Sequence, residues 1–365
     1  MPWHSSARPW WLLFIQSWRE EEVSPLSATG PFRPTASLSS GLPWSSRFLE
    51  GISSAQYGFE IQLLPQKGFQ VKREQCVISG VDGLSYFQRS EDPVHGPLSS
   101  SSFSNLIPRT DSGSLVLPLI GGHKAFAPVV QALSAMRAYA ISPERLRSLQ
   151  DPEGTTSLGG DGSNSAMVLQ TIIRKSPEDF ELINEFIANL LPYKATVRPK
   201  EIGDKLTLEF EGDLGGQKSL TLGALSMSDG TLRTLGLLLA VYQQPAPTLI
   251  VLEEPDSVIH PGALGTILDV IKVASHRSQV VVTTHSPELL DASNWIEDRH
   301  LRIVYWEDGS SHVSRIGRAS REALQEHLMG AGELLRSNVL DNPPPRVEDP
   351  PSEPEQKGPF VVSAW

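Results

Sequence analysis

Two glutamates stand side by side where an aliphatic run stops, in "LIVLEEPD", residues 249–256. A continuous apolar run of this kind reads as a strand buried on both faces of a parallel sheet. Carboxylates at its end are costly to bury unless a cation meets them, and in an open α/β sheet ligands sit at the carboxyl ends of the strands. Glu253 and Glu254 are therefore candidate ligand-facing acids; the plainer reading is two glutamates closing a strand in a solvated turn. Three further stretches share their neighbourhood: "SMSDGTLR" (226–233), "SVIHPGAL" (257–264) and "VVVTTHSP" (280–287). Ser228 or Asp229 suits the cap of a helix beginning near Thr231, whose free N–H groups could meet a phosphate, and an ordinary cap without a ligand is the alternative. Arg233, on the same first turn, could reach a phosphate or a carboxylate, or lie on the surface. His285 follows its strand directly, and Asp256 suits either a partner contact or the acid of a helix N-terminus. A metal-dependent nuclease would use Glu253, Glu254, Asp256 and His260 as an acidic cluster, but no further acidic motif with the required spacing follows His285.

The elements that must position these residues are legible in outline. "YGFEIQLLPQKGFQVKREQCVI" alternates as two strands joined by a turn at Lys67-Gly68, and "LSYFQR" is a candidate third. Residues 87–122 are rich in Ser, Pro and Gly and read as loop. "AFAPVVQALSAMRAYAI" has helical spacing up to Pro143, and "SPEDFELINEFIANLL" carries Ser176 as N-cap and Pro177 at the first helical position. "KLTLEFEG" alternates as a strand, "GTLRTLGLLLAVYQ" is a helix, 248–252 a strand, 262–275 a helix and "QVVVTT" a strand, which together predict a parallel βαβ unit. Two short strands are expected near "LRIVYWE" and "HVSRIG".

The chain has 365 residues, 39% of them hydrophobic, enough for one large domain or two modest ones. A net charge of −11 argues against a broad phosphate-tracking surface, although a local basic patch remains open. One cysteine, Cys76, allows no internal disulfide and suits a reducing cytosol. No apolar stretch reaches the roughly 18 residues that span a bilayer, so a cytoplasmic protein without a membrane partner is expected. The predicted organisation is an atypical or disordered segment at 1–50, which holds five of the eight tryptophans, then a β-rich part at 51–122. A lid-like helical insertion at 123–200, a C-terminal lobe at 201–335 and a disordered, proline-rich acidic tail at 336–365 complete it.

Taken together, the four motifs in 226–287 resemble the C-terminal half of an ABC-type ATPase head, in the RecF- and SMC-like branch of predicted AAA family ATPases. The resemblance is looser back to about residue 57 and includes "GDGSNSAMVLQTI", in which Asn164 has no assigned role. It implies a P-loop NTPase-like α/β fold: a parallel-containing sheet flanked by helices, with an antiparallel β part and a helical insertion. It also implies ATP and Mg2+ as cofactors, with Glu253 in the metal role of a Walker B acid and Glu254 as the base that orients water. By the same resemblance His285 is the switch histidine, and Ser228 and Gly230, with Asp229 and Arg233 beside them, form a signature facing nucleotide on the opposite subunit. His260, Pro261 and Asp256 resemble a loop along the dimer interface. The implied partners are a second head, in a homodimer or in a heterodimer with a complete ATPase, and DNA or an effector protein. The implied work is DNA repair, chromosome maintenance or defence against foreign DNA. No long heptad run predicts an SMC-type arm.

One part departs from the family's pattern. A phosphate-cradling G-x-x-x-x-G-K-[ST] loop is required by this class, yet none of the 29 glycines is followed by lysine, and "ATGPFRP" at 28–34 is the nearest glycine-containing stretch upstream. The first strand, its phosphate loop and the following helix are expected to be lost or replaced, which would leave the sheet short of a central strand unless another chain supplies it. A catalytically incomplete head acting as a trans half-site is the alternative function.

Overall fold

The computed structural model describes residues 11–16, 52–64, 68–80, 83–89, 111–152, 154–191, 193–213, 219–257, 259, 261–292, 295–307, 310–337 and 339. Among these, the strands in chain order are β1 (Trp11–Gln16), β2 (Ile52–Leu63), β3 (Phe69–Gly80), β4 (Gly83–Arg89), β5 (Arg137–Tyr139) and β6 (Thr196–Ile202). They continue with β7 (Lys205–Asp213), β8 (Ser219–Gly223), β9 (Leu249–Glu253), β10 (Gln279–Thr284), β11 (Leu301–Glu307) and β12 (Ser310–Ser314). The helices are α1 (Leu117–Ile120), α2 (Ala127–Ser134), α3 (Pro143–Arg147), α4 (Ser165–Lys175) and α5 (Pro177–Leu190). After them come α6 (Asp229–Tyr242), α7 (Leu264–Arg277), α8 (Pro287–Asp291), α9 (Arg318–Gln325) and α10 (Ala331–Arg336).

The architecture is α/β. The main sheet has the order β12-β11-β1-β10-β9-β5, and β2-β3-β4 and β6-β7-β8 form two antiparallel sheets. β9, α7 and β10 are the expected βαβ unit: β10 runs parallel to β9 with Leu252 opposite Val282 and Glu253 opposite Thr283. Their inward residues Ile250, Leu252, Val280 and Val282 are fully buried, which is why both segments read as apolar runs in the sequence. α6 is buried almost all round, with eleven of its fourteen residues buried. Each of its fully buried leucines contributes about 1.5–3 kcal/mol of apolar burial, so the helix is a fixed platform for the residues at its N-terminus. Gly236 allows this placement: a Cβ there would come within 2.5 Å of Ile141 Cγ2.

Several expectations change. "AFAPVVQALSAMRAYAI" is helical only over Ala127–Ser134, and Arg137–Tyr139 is a strand parallel to β9, with Tyr139 opposite Leu252. Pairing with a buried strand outweighs the helical spacing of so short a stretch. The stretch expected as a lid-like insertion, 123–200, thus gives β5 to the main sheet and β6 to another. Its Ile172, Ile183 and Ile187 share one core with α6, α7 and β9. The expected loop at 87–122 contains the end of β4 and the short helix α1. Within 1–50, Trp11–Gln16 forms a strand antiparallel to both β10 and β11, filling the space between them; the rest of that segment, and the tail beyond 339, lie outside the described residues. The hairpin expected at Lys67-Gly68 is present, with Leu63 opposite Phe69 and Gly68 at φ 125°, a conformation that residues with a Cβ avoid.

A second core joins the sheet β2-β3-β4 to α1 and α2 through Cys76, Phe87, Leu117 and Phe126. At its centre lies Glu74, fully buried, which accepts from Tyr57 Oη at 3.0 Å, Val116 N at 2.6 Å and Leu117 N at 2.9 Å. Burial raises its carboxyl above the usual glutamate value, against the opposing pull of these donors and of Arg89. The Cys76 thiol is pushed up to about 12 by burial and by Glu74. Among the described residues no helix is long and apolar enough to cross a membrane.

Candidate functional site

Adjacent parallel strands bring two of the predicted site residues together. β9 ends at Glu253 and β10 at Thr284, so Glu254 and His285 leave the sheet side by side. Glu254 Oε1 lies 3.2 Å from His285 Nδ1, with the histidine side chain 61% exposed and the glutamate 28% exposed. Glu253 is exposed at the strand end. Glu254 has φ 41°, a left-handed conformation that costs a non-glycine residue about 1–3 kcal/mol and persists only where its surroundings over-determine it. Here the Glu254 N–H donates to the Thr283 carbonyl at 3.0 Å, and the Thr284 hydroxyl donates to Asp256 Oδ1 at 2.8 Å. Asp256 thus ties the turn after β9 to the end of β10; it does not act as the acid of a helix N-terminus. His260 lies outside the described residues.

The signature stretch opens α6. Ser228 is the N-cap, with its Oγ accepting from Thr231 N at 3.1 Å, which satisfies one of the helix's open donors and leaves its positive end facing outward. Asp229 adds a first-turn acid and pairs with Arg147 of α3, whose Nη2 also donates to the Met227 carbonyl at 2.8 Å. Arg233 turns towards its own chain: Nη1 donates to Ser257 Oγ at 2.6 Å and makes a longer contact of 3.4 Å with the Glu254 carbonyl. Its Nε is buried without a hydrogen-bond partner among the described residues, a cost of about 1–3 kcal/mol. Burial lowers the guanidinium pKa, against Asp229, Asp256 and Glu254, which raise it.

Two clefts flank this helix end. One, of about 460 Å³, is lined by Ser142 and Glu144 after β5, by Asp229 and Arg233, and by Glu253, Glu254 and Ser257. The other, of about 470 Å³, is bounded by Ser228, Gly230 and Thr231 with the apolar side chains of Leu190, Leu191 and Ile259. The structure therefore unites Glu253, Glu254, Asp229 and Arg233 around one cleft and sets Ser228 and Gly230 on the other, with Asp229 shared. Ser142, Glu144, Arg147 and Ser257 were not singled out in the sequence; Ser142-Pro143 ahead of a short helix was the one local signal. Asn164 organises a loop: its side chain donates to the carbonyls of Thr155 and Ser157 and accepts from Gly159 N at 2.7 Å.

Residues 163–291 match the model of a family described as "AAA domain, putative AbiEii toxin, Type IV TA system". The C-terminal part of the chain is thus similar to an AAA domain family. Every motif from Ser228 to His285 falls inside it. A stretch of 127 residues is 32% identical to the Chromosome partition protein Smc of Methanocaldococcus jannaschii, covering 31% of this chain. The chain spans about a tenth of that relative's length. Among solved structures, the SMC head domain from Thermotoga maritima is similar with a TM-score of 0.32 and 13% identity, over 75% of this chain and 82% of that one. An SMC head bound to the C-winged helix domain of ScpA gives 0.38 and 13%, over 76% and 81%.

Mg2+ and ATP fit this site unequally. Among the described residues no group of three or more His, Cys, Asp or Glu side chains is arranged to hold a metal alone. Mg2+ needs only one or two carboxylates when water and phosphate complete its shell, and the exposed Glu253 suits that. The first cleft suits phosphate poorly: Glu144, Asp229, Glu253 and Glu254 line it against one guanidinium, that of Arg233.

Proposed function

We propose that this chain is an ATPase head of the RecF/SMC-like class, working in the cytoplasm on DNA or chromosome maintenance or in defence against foreign DNA. The observation that carries this reading is the 3.2 Å contact between Glu254 and His285 at the ends of two adjacent parallel strands. When bound, Mg2+ would neutralise charge on the transferred phosphoryl group. Glu253 would hold that ion through its exposed carboxylate. Glu254 would accept a proton from, or orient, an attacking water, and His285 would keep the carboxylate turned outward. Ser228, Asp229 and Gly230 would offer the positive end of α6 to a nucleotide held by a second head.

A second reading has its own observation. The sequence contains no G-x-x-x-x-G-K-[ST] loop and the cleft beside Glu253 is rich in carboxylates, which favours a half-site that completes an ATPase held by a partner. One experiment separates the two: Mg-ATP binding and hydrolysis by the purified protein beside Glu254→Gln. Micromolar binding, with the variant trapping ATP and dimerising, supports the complete head. Absence of binding in both proteins overturns it and leaves the trans half-site, which would then raise hydrolysis only when mixed with a complete head.

A further inference from the structure

The turn after β9 is held from two directions. On one side β10 grips it through the Thr283 carbonyl to Glu254 N and the Thr284 hydroxyl to Asp256. On the other side the only described side chain of α6 that bonds to it is Arg233, through Ser257 Oγ and the Glu254 carbonyl. The turn closes on itself as well, since Ser257 N donates to the Glu254 carbonyl at 3.1 Å. Glu254 sits at φ 41° at the centre of these contacts, a conformation that relaxes when the restraints around it are removed. Arg233 accepts burial, and leaves Nε without a partner among the described residues, to keep this position. An arginine serving a phosphate in the cleft would instead keep its fork open.

We propose that Arg233 is a positioning residue: braced on Ser257 and the Glu254 carbonyl, it fixes the left-handed turn that presents the Glu254 carboxylate to His285. It thereby joins the N-terminal turn of α6 to that pair within one chain. The surface of α6 that carries Ser228 and Asp229 and the turn that carries Glu254 then move as one unit, so an event at the helix N-terminus is felt at Glu254. The geometry stands independently of the proposed ATPase activity; only its consequence for hydrolysis rests on that reading.

The test compares His285 imidazole resonances in histidine-labelled full-length protein, wild type against Glu254→Gln, Arg233→Met and Ser257→Ala. Glu254→Gln defines where the resonances go when the carboxylate is lost. Arg233→Met is expected to move them at least half of that way, and a variant that keeps the wild-type positions overturns the inference. Should Arg233→Met fail to fold, Ser257→Ala, which removes one brace and leaves the charge in place, is read by the same criterion. A purely structural arginine would lower the melting temperature without moving these resonances. If the wild type hydrolyses ATP, Arg233→Met is expected to lower kcat about 100-fold, as a misplaced catalytic group does, with KM little changed. If the wild type hydrolyses nothing, the proposed activity falls while the resonance comparison still decides the role of Arg233.

Discussion

The two cores of this molecule treat their carboxylates in opposite ways. In the β2-β3-β4 core, Glu74 is fully buried, and three donors saturate it, from Tyr57, Val116 and Leu117. Its backbone is ordinary strand, and what it achieves is to anchor the start of α1 on β3. At the ends of β9 and β10, Glu253 is exposed, and Glu254 is half-buried in a strained turn with its carboxylate against His285. A carboxylate that the fold fully satisfies holds structure. One kept near solvent by restraints on its backbone is the kind on which the proposed function relies.

Breaking either side sharpens the contrast. The largest effect is expected from Glu254→Gln: a loss of about 100-fold or more in any ATP hydrolysis, the usual weight of a general base, with the urea midpoint unchanged. Loss of stability without loss of turnover would put Glu254 in the same class as Glu74. Glu74→Ala is expected to cost about 2–4 kcal/mol in urea unfolding, because Tyr57 Oη and two buried N–H groups lose their acceptor, while the Glu254–His285 contact survives. Gly332 is a test close to the site: a Cβ there would strike the Pro287 carbonyl and Asp291. Gly332→Ala should therefore lift α10 from α8 and cost about 1–3 kcal/mol, shifting His285 resonances through Ser286, the one residue that separates it from α8.

The pH dependence of Glu74 is smaller and has a definite sign. Its folded pKa is raised by burial, so the folded state binds the proton more tightly than the unfolded chain. The stability of the wild type relative to Glu74→Gln should thus be greatest below the ordinary glutamate value and fall as pH rises to the raised folded value. Urea unfolding of both proteins across that window checks it, and a difference that grows with pH would contradict the buried assignment. The smallest effect is expected at the exposed Arg318–Glu322 pair of α9, where solvent screening should leave the urea midpoint of Arg318→Ala indistinguishable from that of the wild type.

Much of the site was legible because its signals are local. The apolar runs of β9 and β10 and the Ser228 cap of α6 were read from their own residues, and each is where the structure has it. The illegible parts depend on distant pairing. β5 is three residues long, and its strand state comes from Ile250 to Leu252 alongside it. The helical stretches α4 and α5 read as a separate insertion because their amphipathic pattern does not say which core they cover. No spacing rule joins Arg233 to Ser257, twenty-four residues away, or Arg147 to Asp229, eighty-two away.

The sequence by itself determined which residue types stand at the ends of the buried strands, the cap of α6 and the lack of a lysine after any glycine. These follow from short-range sterics, hydrogen bonding and apolar periodicity, which act over a few residues. Only the tertiary structure decided that Glu254 meets His285, that Arg233 faces its own chain, and that Trp11–Gln16 lies between β10 and β11. Those contacts join segments far apart in the chain. They form only when burial of the shared core makes ordering the loops between them favourable.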